Sequence, residues 1–358
     1  MRFIAVYVTP PSVFVAVLIG GGYGTGREIV EFFSQYGFHG GIAGLMAAFI
    51  ALTVILGCTF DLSRRLQAYD YVSFFKWLIG PLWWLYEILY ILLALLVLGV
   101  LSSAAGEMLQ QEFGITPPNA YALTTLLLGV LIIFGREVLQ RVFMLWSVGM
   151  FTAFAAYFVF VYQSIEETSL IFEAHSVSAV AISGGLLYVM YNVAIAPVLL
   201  FATQSFVSAR EAWCSAFLTA AAVLMPAILF HWSFSVVAID VASEPVPVYS
   251  VIDQYAPATF KTLFVILLIG TVVQTGSGLI HGFIERCETS FGADVEYSMP
   301  WGARLAITLG GLLVSWLLAR IGLISLIAAG YTAMGVCFAF VYIFPLLFRY
   351  GFQRDSIE

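Results

Sequence analysis

The sequence is poor in charge and cysteine, and it has no recognisable catalytic motif. Only 10% of its 358 residues are charged, the net charge is −7, and no long basic run occurs, which excludes nucleic acid as an expected partner. The four cysteines show no CxxC or Cys/His spacing, so we expect free thiols without a bound metal. No HExxH, GxSxG or ATP-binding motif is present, which argues against an enzyme, a cofactor and an ATP-driven pump.

What the sequence has in excess is apolar residues. They make up 62% of the chain, and the mean hydropathy is +1.00. A soluble domain of this length could not bury so much apolar surface, so we predict an all-α polytopic membrane protein. A bilayer core needs about 20 apolar residues of helix. The chain has ten segments of about this length: 9–36, 41–62, 82–110, 119–135, 138–163, 180–206, 210–239, 259–285, 302–319 and 321–348.

The basic residues predict the orientation of these spans. If the N-terminus is cytoplasmic, ten spans return the C-terminus to the same side. Of the 14 basic residues, all except Arg27, Lys261 and Arg320 then lie on or near the cytoplasmic side. This bias is the one that the positive-inside rule expects. We therefore predict a multi-pass protein of the bacterial cytoplasmic (inner) membrane with both termini inside.

The spacing of the spans indicates an internal repeat. Spans two to five fall on spans seven to ten after a shift of about 171–184 residues. Since five is an odd number, the halves 1–165 and 166–358 would have inverted topology within one membrane domain. The first span of each half is interrupted, at Gly20–Gly26 and at "YNVAIAP" before Pro197. Such paired interruptions are typical of a transporter binding site at the bilayer midplane.

The glycines allow two interpretations. Gly20/Gly24 and Gly22/Gly26 are small-xxx-small pairs, which let helices pack closely. Alternatively, the stretch "GGGYGTGRE" is unwound and exposes backbone groups to a ligand. Five glycines in seven residues, with a matching break in span six, favour the second interpretation.

These two breaks and the five-plus-five plan resemble the amino acid–polyamine–cation superfamily, which has the LeuT-type fold. The chain also resembles small bacterial ten-helix proteins of the YkvI type, described as amino acid permeases. The resemblance implies that the unwound part of helix one offers N–H groups to a substrate carboxylate, opposite the broken helix six. The substrate-binding residues that match are Gly21, Gly22, Tyr23, Gly24, Thr25, Tyr188, Tyr191 and Asn192. Ordinary membrane aromatics are the alternative for the tyrosines.

The resemblance also implies a sodium site between helices one and eight. Gly20 and Gly21 would provide carbonyl oxygens, and Thr275 and Ser277 would provide hydroxyls. Gln274–Thr275 replaces the usual adjacent Ser/Thr pair. Some proton-coupled relatives place a lysine on helix five, but Val142–Tyr162 carries no charge, which favours sodium. Backbone-bonded hydroxyls remain the alternative.

Ionisable residues near or within the spans are candidates for gating or proton coupling because they are costly in lipid. Arg27 and Glu28 would line the outer vestibule, and Arg27 could pair with Glu107 or another acid. His231 and His281 could carry a proton, although hydrogen-bonded packing is the commoner role of a membrane histidine.

Together these features predict a secondary active transporter that works by alternating access. It would carry a small carboxylate-bearing solute, with an amino acid as the expected substrate and Na+ favoured over H+ as the coupling ion. The alternative is a ligand-sensing receptor of the same fold. Substrate identity, stoichiometry, direction and oligomeric state are not encoded in recognisable motifs.

Overall fold

The structure, a computed structural model, describes residues 2–18, 21–133, 136–164, 177–237, 239–290 and 300–354, and all secondary structure in these ranges is helical. In the first half the α-helices are α1 (Arg2–Tyr7), α2 (Thr9–Leu18), α3 (Gly21–Gly24), α4 (Arg27–Phe32), α5 (Gly37–Leu66), α6 (Tyr71–Ile79), α7 (Trp84–Phe113), α8 (Pro117–Ile133) and α9 (Arg136–Gln163). In the second half they are α10 (Ala179–Asn192), α11 (Ala209–Val236), α12 (Pro247–Tyr255), α13 (Ala258–Ser290), α14 (Trp301–Ala319), α15 (Leu323–Ser325), α16 (Thr332–Phe338) and α17 (Phe344–Arg354). The 3-10 helices Ser34–Tyr36, Gly80–Leu82 and Val193–Ser205 and the π-helices Leu326–Tyr331 and Ala339–Ile343 complete the set.

The apolar helices identify a multi-pass membrane protein. Seven helical stretches of the described chain are long and apolar enough to cross a membrane, and two shorter apolar helices accompany them. The observed helices follow the predicted spans closely: α11, for example, covers Ala209–Val236 where 210–239 was expected. The count of ten spans stays a prediction. The short helices α6 and α12 lie between predicted spans.

The first predicted span is not a single regular helix. It starts with Pro10 and Pro11 in the first turn of α2, where proline is tolerated because the N–H groups there have no helical partner. Regular α2 ends at Leu18, and α3 is a single turn. Gly26 then adopts φ +78°, a conformation that favours glycine, and α4 begins at Arg27.

The α-helix α10 also ends within its predicted span. From Val193 to Ser205 the chain continues as a 3-10 helix that contains Pro197. Proline has no backbone N–H and cannot make the hydrogen bond of a regular α-helix. One carbonyl of this segment is used by another helix, since the Tyr86 hydroxyl donates to the Ala194 oxygen (3.0 Å). The segment lies against α2 and α5.

Close glycine contacts hold the helices together. Helix α5 packs against α10 and α11, and α7 packs against α8, α13 and α14. Where α5 crosses α10, a Cβ atom on Gly185 would overlap the carbonyl oxygen of Gly44. The single turn α3 lies against α7 and α13. The interruption in the first span is therefore enclosed by helices from both halves of the chain.

Candidate functional site

A cavity lies where α2, α3, α4, α7, α10, α13 and the π-helix Leu326–Tyr331 meet. Its volume is about 100 Å³, roughly seven to ten times the space that one water needs. Its lining residues are Val17, Leu18, Tyr23, Glu28, Tyr90, Leu93, Ala94, Val97, Leu101, Tyr191, Asn192, Ala194, Ile195, Thr275, Leu279 and Tyr331. A mostly apolar cavity with a few convergent polar groups is typical of a small-molecule site.

Glu28 is the acidic residue of this cavity. It is 5% exposed, and its Oε2 accepts a hydrogen bond of 2.5 Å from the Tyr191 hydroxyl. Tyr191 in turn stacks on Tyr331, with ring centroids 4.5 Å apart. Within the described part of the chain, no basic side chain forms an ion pair with Glu28. Glu28 therefore faces the interior of the cavity and not the outer vestibule that we expected.

Arg27 points away from the cavity towards the segment between α11 and α12. Its Nη1 donates to the carbonyl oxygens of Ala242 (2.7 Å) and Glu244 (3.2 Å), and its Nη2 pairs with Glu31 (2.7 Å). It is only 3% exposed, so in this structure Arg27 does not line a solvated vestibule. The first turn of α12 is held nearby, because the Val248 N–H donates to the Thr25 carbonyl oxygen (3.1 Å).

The pair Arg27–Glu107 is not formed. Glu31 lies one turn further along the helix from Arg27, which explains why it takes the ion pair. Glu107 is on α7 and accepts a hydrogen bond from the Tyr121 hydroxyl (3.3 Å). Arg27 thus pairs with an acid other than Glu107, and this acid lies on its own helix.

The glycine-rich stretch is partly helical in the structure, and the binding of a ligand by its backbone stays a prediction. Gly21, Gly22, Tyr23 and Gly24 form α3, and Tyr23 lines the cavity. Gly24 serves close packing, because a Cβ atom there would lie 2.5 Å from Leu268 Cδ1. Thr25 is buried outside the cavity lining, and its Oγ1 accepts a hydrogen bond from the Arg27 N–H (3.2 Å). Gly20 lies outside the described residues.

The end of α10 forms part of the cavity lining. Tyr191 and Asn192 line the cavity, and Asn192 Nδ2 donates to the Tyr188 carbonyl oxygen (2.9 Å). Tyr188 is fully buried, but it lies outside the cavity lining and packs against Phe32 and Phe33. Its contacts fit a core aromatic residue.

The two candidate sodium ligands of α13 have different surroundings. Thr275 lines the cavity, while Ser277 is buried and does not. Ser277 Oγ has no hydrogen-bond partner among the described residues. Thr275 and Tyr23 of α3 line the same cavity. A hydroxyl oxygen is a donor of the kind that hard cations prefer.

His231 makes the contacts of a packing residue. It is fully buried on α11, and Nε2 lies 3.0 Å from the Phe38 carbonyl oxygen. Since a carbonyl only accepts, Nε2 carries the proton, and Nδ1 accepts from the Ser34 hydroxyl at 2.9 Å. Both nitrogens of a neutral ring are thus satisfied. The side chain of His281 lies outside the described residues.

Some cavity residues had no signal in the sequence. Tyr331 ends a π-helix, an element that is frequent at functional sites but has no motif. Leu93, Val97 and Leu101 lie in the almost uniformly apolar stretch 88–101 of α7, so the sequence did not show which of its residues face inward. A second cavity of about 70 Å³ shares Tyr90, Ala94 and Leu279 with the first and is also lined by Gly278 and Gly282.

Known proteins were compared with the chain at the level of sequence and of fold. No protein-family model matches it. The uncharacterized membrane protein YkvI of Bacillus subtilis (strain 168) is 29% identical over 115 residues, which cover 31% of this chain and 32% of that protein. The match thus spans about a third of the relative's length, and it confirms the resemblance to YkvI-type proteins.

The fold is similar to that of solved transporters. Crystal structures of a manganese transporter from Eremococcus coleocola align over 96% of this chain and 78% of that chain, with a TM-score of 0.55 and 14% sequence identity. A Na+-coupled sialic acid symporter aligns with a TM-score of 0.49, which does not establish a shared fold. This multi-pass membrane protein therefore has a LeuT-type helical fold and resembles YkvI-type proteins.

Proposed function

We propose that the protein is a secondary active transporter of a small solute and not an enzyme. The observation that carries this proposal is the small cavity between the interrupted first span and the end of α10, lined by residues from both halves of the chain. A site at such a junction can open to either side when one helix group moves against the other. The proposal includes ten spans in two inverted repeats, 1–165 and 166–358, in a bacterial cytoplasmic membrane with both termini inside.

The proposed substrate is a small carboxylate-bearing solute, with an amino acid as the expected case. Backbone N–H groups of Gly21 and Gly22 would meet the carboxylate, and Tyr23, Tyr191 and Asn192 would surround the rest of the molecule. The cavity volume of about 100 Å³ fits a small solute in this conformation. The apolar wall of α7 fits an aliphatic part.

Sodium is the proposed coupling ion. Thr275 of α13 lines the cavity, and the buried Ser277 hydroxyl lacks a partner among the described residues. An ion bound there would favour the state that also binds the solute, so each would raise the affinity of the other. Manganese, which the neighbour's name mentions, has less support. No group of three or more His, Cys, Asp and Glu side chains is suitably placed in the described ranges.

Uptake into proteoliposomes tests this function. Purified protein would be reconstituted, and the uptake of radiolabelled small amino acids measured with an inward sodium gradient, with an inward proton gradient and with neither. We expect accumulation that requires sodium. Thr275→Val should weaken the sodium dependence at least tenfold, whereas Thr308→Val, which removes a buried hydroxyl on α14 outside the cavity, should leave it unchanged.

The alternative outcomes are distinct. Accumulation driven by protons alone would overturn the sodium proposal and keep the transporter. Binding of a solute without any flux would overturn transport and support a ligand-sensing receptor of the same fold.

A further inference from the structure

The charged side chains that line the cavity in the described chain are of negative sign only. Among its lining residues in the described chain, Glu28 is the only side chain that is ordinarily charged at neutral pH, and no Lys, Arg or His lines the cavity. Its remaining polar groups are the hydroxyls of four tyrosines, the Asn192 amide and the Thr275 hydroxyl. A solute that offered only a carboxylate would meet a like charge here and no cationic side chain.

The aromatic rings surround this carboxylate. Tyr191 donates its hydroxyl to Glu28 at 2.5 Å, and Tyr331 stacks on Tyr191 at 4.5 Å. Tyr23 is 1% exposed, and its hydroxyl has no hydrogen-bond partner among the described residues. Aromatic faces carry negative charge density, so rings next to a carboxylate form a favourable environment for a cation.

We propose that the cavity recognises a positively charged nitrogen of the solute, held by Glu28 and by the rings of Tyr23, Tyr191 and Tyr331. This inference rests on the proposed function and narrows its substrate class to small ammonium compounds, including the α-ammonium group of an amino acid. A buried carboxylate without a cationic partner is costly. A bound ammonium ion would offset that cost, and the Tyr23 hydroxyl could accept one of its N–H groups.

Matched pairs of solutes test the charge requirement. Glycine and glycolate, alanine and lactate, and valine and 2-hydroxyisovalerate each differ by an ammonium group in place of a hydroxyl. Calorimetric titration of the purified full chain, with and without sodium, would compare the members of each pair, with ethylamine added as an ammonium compound that lacks a carboxylate. We expect at least one ammonium member to bind at least tenfold more tightly than its hydroxy acid. Equal affinities, or no binding by any ammonium compound, would overturn the inference.

Variants then assign the effect to the cavity. Glu28→Gln keeps the shape of the side chain and should lower ammonium affinity at least tenfold, whereas Glu87→Gln on α7, outside the cavity lining, should not. Tyr331→Phe should retain binding because the ring remains, and Tyr331→Leu should lose it. Equal binding by both Tyr331 variants would contradict the contact between ring and cation, and thermal melts would show whether each variant is folded.

Uptake measurements distinguish a failure of this inference from a failure of the transport function on which it rests. Binding that selects ammonium compounds, without any flux, would contradict the transport function and support the ammonium site. Equal uptake of amino acids and hydroxy acids would support the transport function and contradict the ammonium requirement.

Discussion

At the scale of single residues, Asp61 is the acidic group at the end of α5 that joins two elements. Its fully buried carboxylate pairs with Arg64 (2.6 Å) and Arg65 (2.7 Å), and it accepts a hydrogen bond from the Tyr350 hydroxyl of α17 (3.1 Å). The arginines are 22% and 30% exposed, so water weakens both ion pairs.

We predict that Asp61→Asn destabilises the protein by about 1–3 kcal/mol, because two cations lose their partner near a buried position. Thermal melting in detergent would measure the change. Asp253→Asn is the matched control, since Asp253 is 59% exposed and its ion pair with Lys261 is accessible to water. Equal melting temperatures for the two variants would contradict this role of Asp61.

Residue chemistry also separates two candidates that looked alike in the sequence. His231 and Glu28 are both buried ionisable groups. His231 has a partner for each ring nitrogen on neighbouring helices, whereas Glu28 faces a cavity and has one neutral partner. Only the partners distinguish a packing group from a candidate ligand, and partners distant in the sequence cannot be inferred from motifs.

At the scale of elements, α5 and α10 cross at glycines, where a side chain would not fit between the two helices. We predict that Gly185→Ala costs about 1–3 kcal/mol of stability, because the added methyl group would overlap the Gly44 carbonyl oxygen and force the helices apart. Thermal melts would measure this effect. Gly310→Ala on α14 is the control, since no heavy atom lies near the added carbon. A destabilisation as large for Gly310→Ala would show a general loss and not a helix-crossing effect.

At the scale of the whole molecule, the even number of proposed spans fixes the relation between the termini. We predict that both termini are cytoplasmic. A reporter that is active only in the cytoplasm, fused to either end in separate cells, should be active in both cases. Activity at one end only would require an odd number of spans and would remove the inverted five-plus-five plan.

The two neighbouring cavities allow a test of the route that a solute would take through the protein. An added carbon at Gly282, in the wall of the smaller cavity, meets no heavy atom. We predict that Gly282→Leu fills this space and lowers flux at least fivefold without lowering the melting temperature. Gly302→Leu, at an equally open position on α14 outside both cavities, is the control. Undiminished flux through a folded Gly282→Leu protein would show that the smaller cavity is not on the route.

The sequence was most informative where apolar runs alternate with polar breaks, because these set helix bounds such as Ala209–Val236 of α11. Part of the candidate site was also predictable, since glycines and Pro197 mark the irregular backbone beside Tyr23, Tyr191 and Asn192. The residues that α7 contributes could not be predicted, because its stretch 88–101 is apolar on all sides and the sequence does not show which side faces inward. The Glu28–Tyr191 hydrogen bond joins residues 163 positions apart, a contact that no local pattern encodes.

Arg27 and Glu28 are neighbours in one helical turn, yet they serve opposite surroundings. The first holds the carbonyl oxygens of Ala242 and Glu244, and the second faces the cavity. Successive residues of an α-helix are separated by a rotation of about 100°. A rotation of α4 that brought Glu28 closer to a bound solute would therefore also move the backbone that carries Arg27. Occupancy of the cavity would then be coupled to the hydrogen bonds that hold the segment between α11 and α12.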